Sequence, residues 1–298
     1  MKEQFKGYKI LFVGLNTIDL QFVVADYPHA NTKTKAQHSE IHTGGPATNA
    51  AITCAHLGEN VDLFTPIGQH IFSEFIFEDI HKYGVHIMDP VSHGPSEPVF
   101  ASIISSSKNG DRTVFSYHPI IQYEILDYIN LELNDYKLVM FDGFHPEFAI
   151  PIAKACHEKR IPTVLDGGSW KPGIETLLEN IDIALCSNDF SPPGIAQPND
   201  ILLFLKKKGV EYSAITRGEQ NILCSCYGNQ SEIEVFPVQA VDTLGAGDVF
   251  HGAFCYYYVN GFNFTDALKK ASFVAGESCK SIGARKWTKD FQVDNSSL

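Results

Sequence analysis

A chain of 298 residues with 44% hydrophobic and 19% charged residues has apolar matter for one large α/β domain or two small ones, which excludes a disordered chain. Its formal net charge of −12 argues against a general nucleic-acid or anionic-membrane surface. Lys2 to Lys9 leads into Ile10-Leu11-Phe12-Val13, a run too short and wrongly flanked for a signal peptide, and no apolar stretch approaches membrane-spanning length, so a cytoplasmic protein is expected. Seven scattered cysteines form no Cys-x-x-Cys pair and mostly sit inside apolar runs, so they read as buried free thiols.

Tyr8 to Gly14 is a continuous apolar run closed by glycine, the pattern of a strand buried on both faces of a parallel sheet. Asp19 follows in Gly14-Leu15-Asn16-Thr17-Ile18-Asp19, at the strand end where ligands of parallel sheets gather. Asp19 and Asn16 can hydrogen-bond hydroxyl groups there; the other reading of Asp19 is a plain surface carboxylate. Asp19 to Thr43 alternates polar and apolar residues and reads as strand without helix. Gly44-Gly45-Pro46-Ala47-Thr48-Asn49 then opens a helix. Its paired glycines allow close backbone approach, Pro46 suits a first turn, and Asn49 offers both a donor and an acceptor. A hinge turn with a solvent-facing Asn49 is the alternative.

That helix is expected over Ala47–Leu57 with Gly58 just past its end, and a second over Ser73–Tyr83 with Ser73 as N-cap and Gly84 beyond. Val99 to His118 is another β-rich stretch, and Asn109-Gly110 at its middle is a hairpin signal followed by Arg112. Further buried strands are expected at Val61–Ile67, Leu138–Phe141, Thr163–Leu165, Ile181–Cys186 and Tyr212–Thr216, with helices at Glu147–Lys159 and Asp200–Lys208. This alternation predicts βαβ units and a mostly parallel sheet covered on both faces. The stretches 19–43 and 99–118 break the rhythm and predict a small antiparallel sheet beside it. Asp166-Gly167-Gly168, Ser187-Asn188-Asp189 and Thr216-Arg217-Gly218-Glu219 all close apolar strands, so they belong at the ligand-binding edge or are simple strand-end turns. The polar tail after Trp287 is expected to fray. The twelve histidines show no metal-site pattern and read as structural or surface residues.

The most informative stretch is Val241-Asp242-Thr243-Leu244-Gly245-Ala246-Gly247-Asp248, which runs on into an apolar helix. Gly245 and Gly247 let a ligand approach backbone N–H groups that lack intrahelical partners, at the positive end of the helix dipole. Such a turn binds phosphate. Asp248 in that turn can accept a proton from a hydroxyl as it attacks a phosphoryl group. The string is neither a dinucleotide-binding fingerprint nor a Walker A loop, because Phe250 stands at the third glycine position and no Gly-Lys-Ser/Thr follows. The plainer reading is a helix start capped by Asp242 or Thr243.

The string from Asp242 to Asp248 resembles, without a gap, the signature of the ribokinase-like (PfkB) carbohydrate kinases, and Gly44-Gly45-Pro46-Ala47-Thr48-Asn49 resembles the family's second signature. The closest look is to the ketohexokinase and fructokinase-like branch. The resemblance spans Ile10 to Gly283 in motif order and implies a three-layer α/β fold, one kinase domain over the whole chain, with a β-lid from 19–43 and 99–118. It implies Asp248 as catalytic base and Gly245, Ala246 and Gly247 as anion hole. It implies Asn16, Asp19, Gly44, Gly45 and Asn49 at the sugar, and Arg112, Asn188, Thr216, Arg217, Gly218 and Gly283 at the nucleotide. Asn188 is followed at the third position by Ser191 where the family often has Glu, so no protein ligand for the metal is named. The segments Val274–Cys279 and Ser281–Arg285 resemble those lining adenine and, in some members, a monovalent cation. ATP and magnesium are the implied cofactors, a small sugar the implied partner, and a homodimer through the lid the implied assembly. The activity expected is phosphorylation of a sugar hydroxyl of ketohexose, fructose-like or ribose-like substrates; a nucleoside kinase, or a non-catalytic binding relative, is the alternative.

Overall fold

The computed structural model describes residues 8–91, 94–108, 111–119 and 131–292. Two sheets organise it. The larger has nine strands in the order β13-β12-β11-β10-β9-β8-β1-β4-β5. Its parallel part comprises β1 (Lys9–Val13), β4 (Val61–Phe64), β5 (His86–Met88), β8 (Tyr136–Phe141), β9 (Thr163–Gly167), β10 (Ile183–Ser187) and β11 (Tyr212–Arg217). The unbroken apolar runs follow from burial on both faces: Ile10 and Phe12 enter one core cluster, and their neighbours Leu11 and Val13 enter the other. On the first side lie α1 (Pro46–His56), α2 (Ser73–His81), α6 (Ala246–Val259) and α7 (Phe264–Ser278). On the second lie α3 (Pro146–Lys159), the short α4 (Ile174–Leu177) and α5 (Pro198–Lys207). The expected doubly covered parallel sheet is therefore present.

Two antiparallel strands, β12 (Gln220–Cys226) and β13 (Asn229–Ile233), extend this sheet at one edge and were not anticipated. Their turn uses Tyr227 and Gly228 at φ 50° and 88°. A two-residue turn with both φ positive matches strand twist, but Tyr-Gly carries no Asn-Gly signature. Ser73 also differs from expectation. Phe72 is the N-cap of α2, while the Ser73 hydroxyl accepts from His70 N at 2.9 Å and donates to Gly68 O at 2.8 Å, bracing the preceding loop instead.

The smaller sheet runs β3-β2-β6-β7, built from β2 (Thr17–Val24), β3 (His38–Gly44), β6 (Phe100–Ser106) and β7 (Arg112–Tyr117). Its outer pairs are antiparallel, as expected, but the central β2–β6 pair is parallel. A parallel pair needs a long crossover, and the segment carrying α1, β4, α2 and β5 supplies it. The Asn109-Gly110 turn lies outside the described residues, although β6 and β7 pair across that turn as a hairpin requires. Of the tail after Trp287, residues 288–292 are described and held rather than frayed, with Phe291 N donating to Trp287 O at 3.0 Å and His56 Nε2 2.9 Å from Phe291 O, and the remainder lies outside the described residues.

The helix α6 is apolar nearly all round, and ten of its fourteen residues are buried, so it must be enclosed rather than half-solvated. It packs between α1 and α7. The approach to α1 depends on Gly252: a Cβ there would strike the Ala50 carbonyl oxygen and come within 2.8 Å of Thr53 Cβ. Gly252→Ala should therefore destabilise the fold by about 1–3 kcal/mol through overpacking. Thermal unfolding monitored by circular dichroism checks this, and an unchanged melting temperature would contradict it.

Candidate active site

The carboxyl ends of the parallel strands lie along one sheet edge, and the order reverses around β1, which has β4 on one side and β8 on the other. Ligands of open α/β sheets occupy the crevice at such a reversal. Asp142 closes β8 there and is buried, accepting N–H bonds from Leu15 at 2.8 Å, Ala47 at 3.1 Å and Phe144 at 2.9 Å. It ties the end of β1 to the start of α1. Gly14 is needed because a side chain at that position would fall on the Asp142 carboxylate. Burial raises the Asp142 carboxyl pKa, opposed by the bonds from Leu15 and Phe144.

Two helix starts converge on this crevice. Gly45 is the N-cap of α1 at φ 97°, and Gly245 is that of α6 at φ 73°. Ala246 N turns back to Thr243 O at 3.3 Å, and Val249 N begins the helical ladder onto Gly245 O at 2.9 Å. The intervening amides of Gly247 and Asp248 open the helix, where no intrahelical acceptor precedes them. A Cβ on Gly247 would meet open space, so this residue stands at the cleft mouth.

Asn49 in α1 and Asp248 in α6 meet across the two starts: Asn49 Nδ2 donates to Asp248 Oδ2 at 2.6 Å. The Asp248 side chain is enclosed by protein yet keeps part of its surface open. Burial, reinforced by the nearby Asp166 charge, pushes its carboxyl up to about 7, against the Asn49 bond and His251, which lower it. Asn49 Oδ1 is buried without a hydrogen-bond partner among the described residues, leaving an acceptor for a ligand hydroxyl.

Asp19 is buried on β2 and accepts from Thr17 Oγ1 at 2.5 Å, with His42 Nε2 3.7 Å away on β3. Burial raises the Asp19 pKa and lowers that of His42. Gly44 lies against this carboxylate so closely that any Cβ would overlap it, and a Cβ on Gly45 would strike the Leu15 carbonyl. Close approach, not turning alone, thus explains the glycine pair. Asn16 is buried and donates to Thr48 Oγ1 at 3.3 Å, in a small hollow it shares with His70, Glu97 and His145. Short contacts thus link Asp19 to Gly44, Gly45 to Asn16 and Asn49 to Asp248.

The residues expected at the nucleotide are less uniformly placed. Arg112 on β7 donates to Thr243 Oγ1 at 2.6 Å, and both line an open groove of about 610 Å³ with Tyr27, Asp111, Thr113 and Val114. Asn188 is exposed past β10, where Ser187 Oγ bonds Gly168 O at 2.7 Å. Thr216 is the penultimate residue of β11 with its hydroxyl 3.4 Å from Cys186 O, and Gly218 takes φ 62° in the turn after the strand. Arg217 is directed elsewhere: Nε and Nη2 donate to Asn221 O at 2.8 and 2.5 Å, so its guanidinium braces the β11–β12 turn. Gly283, at φ 79°, donates its N–H to Asp242 Oδ2 at 2.9 Å.

Asp242 also accepts from Leu244 N at 2.9 Å and from Gln21 Nε2 at 2.9 Å. Leu244 lies two residues on, so this is a local turn rather than a cap on α6. Three N–H groups are thus directed at this carboxylate. Among the described residues no group of three or more His, Cys, Asp or Glu could hold a metal ion. Asp142 and Gln21, and the partners of Asp242, escaped notice because these contacts join residues between 41 and 221 positions apart in sequence, apart from the local Leu244 and Phe144 bonds. Asp166 and His251 are a further departure. Both are buried with His251 Nδ1 3.5 Å from Asp166 Oδ2, so Asp166 faces α6 rather than a nucleotide.

Comparison with solved structures places the fold first. A putative ribokinase from Agrobacterium tumefaciens superposes with a TM-score of 0.83 at 22% identity, covering 95% of this chain and 94% of that one. An Arabidopsis thaliana ribokinase complexed with ribose and ATP superposes with a TM-score of 0.75 at 20% identity, covering 96% of each. By sequence, a ribokinase from Bacillus subtilis is 26% identical, and a deoxyribokinase from Salmonella typhi 24% identical, each over 93% of this chain and 94% of the relative. Mouse ketohexokinase is 21% identical over 91% of this chain and 96% of the relative. The class is thus a ribokinase-like α/β kinase. The family model for pfkB family carbohydrate kinases matches residues 8–290, and the chain belongs to that family. It is accordingly an ATP-dependent phosphotransferase with an alcohol group as acceptor.

The contact under Asp19 is directly testable. Gly44→Ala forces its methyl group onto the Asp19 carboxylate and should raise KM for the acceptor at least about tenfold, a shift of roughly 1.4 kcal/mol, while KM for ATP stays near native. Steady-state kinetics with each substrate varied in turn checks this; equal effects on both KM values would contradict it.

Proposed function

We propose that this chain transfers the terminal phosphoryl group of ATP to a hydroxyl of a small free sugar of the ketohexose, fructose-like or ribose-like kind, with Asp248 as general base. The observation that carries the reading is a carboxyl held at about 7 in the first turn of α6, beside the Gly245-Ala246-Gly247 backbone. A base with that proton affinity is matched to neutral pH. Asp248 takes the hydroxyl proton as the alcohol oxygen bonds to the γ-phosphorus; the bond to the β,γ-bridging oxygen breaks and ADP leaves. The unpaired amides opening α6 stabilise charge on the transferring group.

Asp19, Asn16 and the free Asn49 Oδ1 offer hydrogen bonds to the other sugar hydroxyls. Arg112 beside Thr243 suits bidentate contact with the nucleotide phosphates, with Asn188, Thr216, Gly218 and Gly283 along the same edge. Arg217 joins them only by releasing the Asn221 carbonyl. Magnesium carried on the ATP phosphates would neutralise their charge. The small sheet acts as the lid, excluding water that would otherwise accept the phosphoryl group. No helix among the described residues is long and apolar enough to cross a membrane, in keeping with a cytoplasmic enzyme.

An ATP-consumption screen over D-ribose, 2-deoxy-D-ribose, D-fructose and adenosine tests the acceptor. Adenosine belongs in it because a nucleoside kinase from Methanocaldococcus jannaschii is 24% identical over 94% of this chain. Turnover confined to adenosine would overturn the sugar reading. Asp248→Asn should lower kcat by about 10²–10⁴-fold. In the native chain kcat/KM should fall tenfold per pH unit below about 7, as the base becomes protonated. The stability effect has the opposite sense. A carboxyl at about 7 when folded, against an ordinary 3.8, favours the folded chain most below pH 4, and that advantage is lost as pH rises to 7. The melting temperature of Asp248→Asn at pH 8 should therefore match or exceed the native one. Near-native turnover by this variant would remove Asp248 from the mechanism.

The lid also has a second face. Register and strand alternation put Asp19, Gln21 and His42 on the buried side, and Leu20, Phe22, Ile41, Phe115 and Tyr117 on the other. Phe115 and Tyr117 are 65% and 60% exposed, on an edge strand. We read this apolar face as the contact of a homodimer. Light scattering should give twice the chain mass at micromolar concentration, and Phe115→Lys with Tyr117→Lys should give a monomer. A native monomer under those conditions would rule the dimer out.

A further inference from the structure

The ring nitrogens of His251 both face oxygens that can only accept. Nδ1 lies 2.6 Å from Gly247 O, and Nε2 lies 3.0 Å from Leu185 O on β10. A neutral imidazole carries one N–H and would set a lone pair against one of these carbonyls; an imidazolium donates to both. The countercharge is at hand, since Asp166 Oδ2 is 3.5 Å from Nδ1 and both side chains are 5% exposed. A buried charge persists when it is paired and hydrogen-bonded, and all three groups around His251 meet that condition.

The Gly247 carbonyl belongs to the same peptide unit as the Asp248 N–H. A charge-assisted bond to that oxygen fixes the peptide plane and polarises its N–H, which opens α6 toward the cleft. His251 also stands one turn beyond Asp248 on the same helix, and Asp166 faces both from β9. We propose that His251 is a positioning residue: as an imidazolium paired with Asp166, it locks and polarises the peptide that opens α6 and offsets the Asp166 charge felt by Asp248. This rests on Asp248 being the base, but its structural half does not.

Other charged groups face the same space. Asp19 lies on the small sheet, Arg285 follows α7, and Asp142 after β8 and Lys171 act from the side of Asp166; the Cys186 and Cys255 thiols, pushed far up by burial, stay neutral. None of the charged ones is within hydrogen-bond distance of the His251 ring among the described residues. The balance between His251 and Asp166 can therefore be read by removing each.

The experiment uses the full chain, unliganded, with ¹⁵N-labelled histidine and ¹³C-carboxyl-labelled aspartate. At neutral pH both His251 nitrogens should resonate as protonated. The Asp248 titration midpoint should rise by about one pH unit in His251→Phe, which leaves Asp166 uncompensated. It should fall in Asp166→Asn, and return toward native in the double variant. His251→Gln, which keeps a donor without the charge, should shift the midpoint as His251→Phe does. Where His251→Phe does not fold, the native ¹⁵N spectrum and His251→Gln decide the matter. A bare nitrogen in His251, or a midpoint that ignores these changes, overturns the proposal. Failure of Asp248 as the base would show separately, as retained turnover in Asp248→Asn.

Discussion

The close packing of α1 on α6 is the constraint from which the site follows. Gly252 lets the two helices approach until nothing larger than hydrogen fits against the Ala50 carbonyl. At that distance their N-termini open side by side, and Asn49 reaches Asp248 at 2.6 Å. Neither helix could present this arrangement alone. One brings a donor and a buried free acceptor; the other brings a carboxylate and the amides that precede its ladder. The apolar character of α6 serves this geometry, because a helix buried on nearly every side has little freedom to shift its first turn.

Five carboxylates crowd the same sheet edge, and the way each is compensated sorts their roles. Asp142 and Asp242 each accept three N–H bonds, so their charge is spent on holding loops together. Asp166 has His251, and Asp19 has Thr17 with His42 nearby. Asp248 has one neutral amide donor and faces the Asp166 charge, and burial together with that charge pushes its carboxyl up to about 7.

Much of this was legible in the sequence, and the limits have physical causes. Continuous apolar runs marked the buried strands because a parallel sheet covered on both faces leaves no polar face to interrupt them. The Gly245–Asp248 turn was legible because its chemistry is local: the amides and the carboxylate belong to consecutive residues. Gly44 was recognised as a close-approach residue, but what approaches it, the Asp19 carboxylate, is set by strand pairing. His251 looked like one more structural histidine, since its role depends on a β10 carbonyl and a β9 carboxylate. Arg217 looked free for phosphate because nothing local announces that the chain reverses and offers the Asn221 carbonyl. The Tyr227-Gly228 turn hid for the same reason: its positive φ angles are imposed by strand twist, without the residue types that usually report them.

The strands of the small sheet are bonded directly into the loop that leads into α6. Gln21 on β2 donates to Asp242, and Arg112 on β7 donates to Thr243, the two residues that lead into Gly245. From the other direction, Arg285 after α7 donates Nη2 to Thr43 O on β3 at 2.7 Å. The Gln21 amide nitrogen also donates to Ser105 Oγ on β6 at 3.0 Å, so it ties two strands to Asp242 at once. A displacement of that sheet therefore cannot leave the Asp242–Gly245 turn unchanged. The loop that would hold phosphate and the strands that carry Asp19 form one hydrogen-bonded unit, so the geometry of acceptor and donor sites is set together.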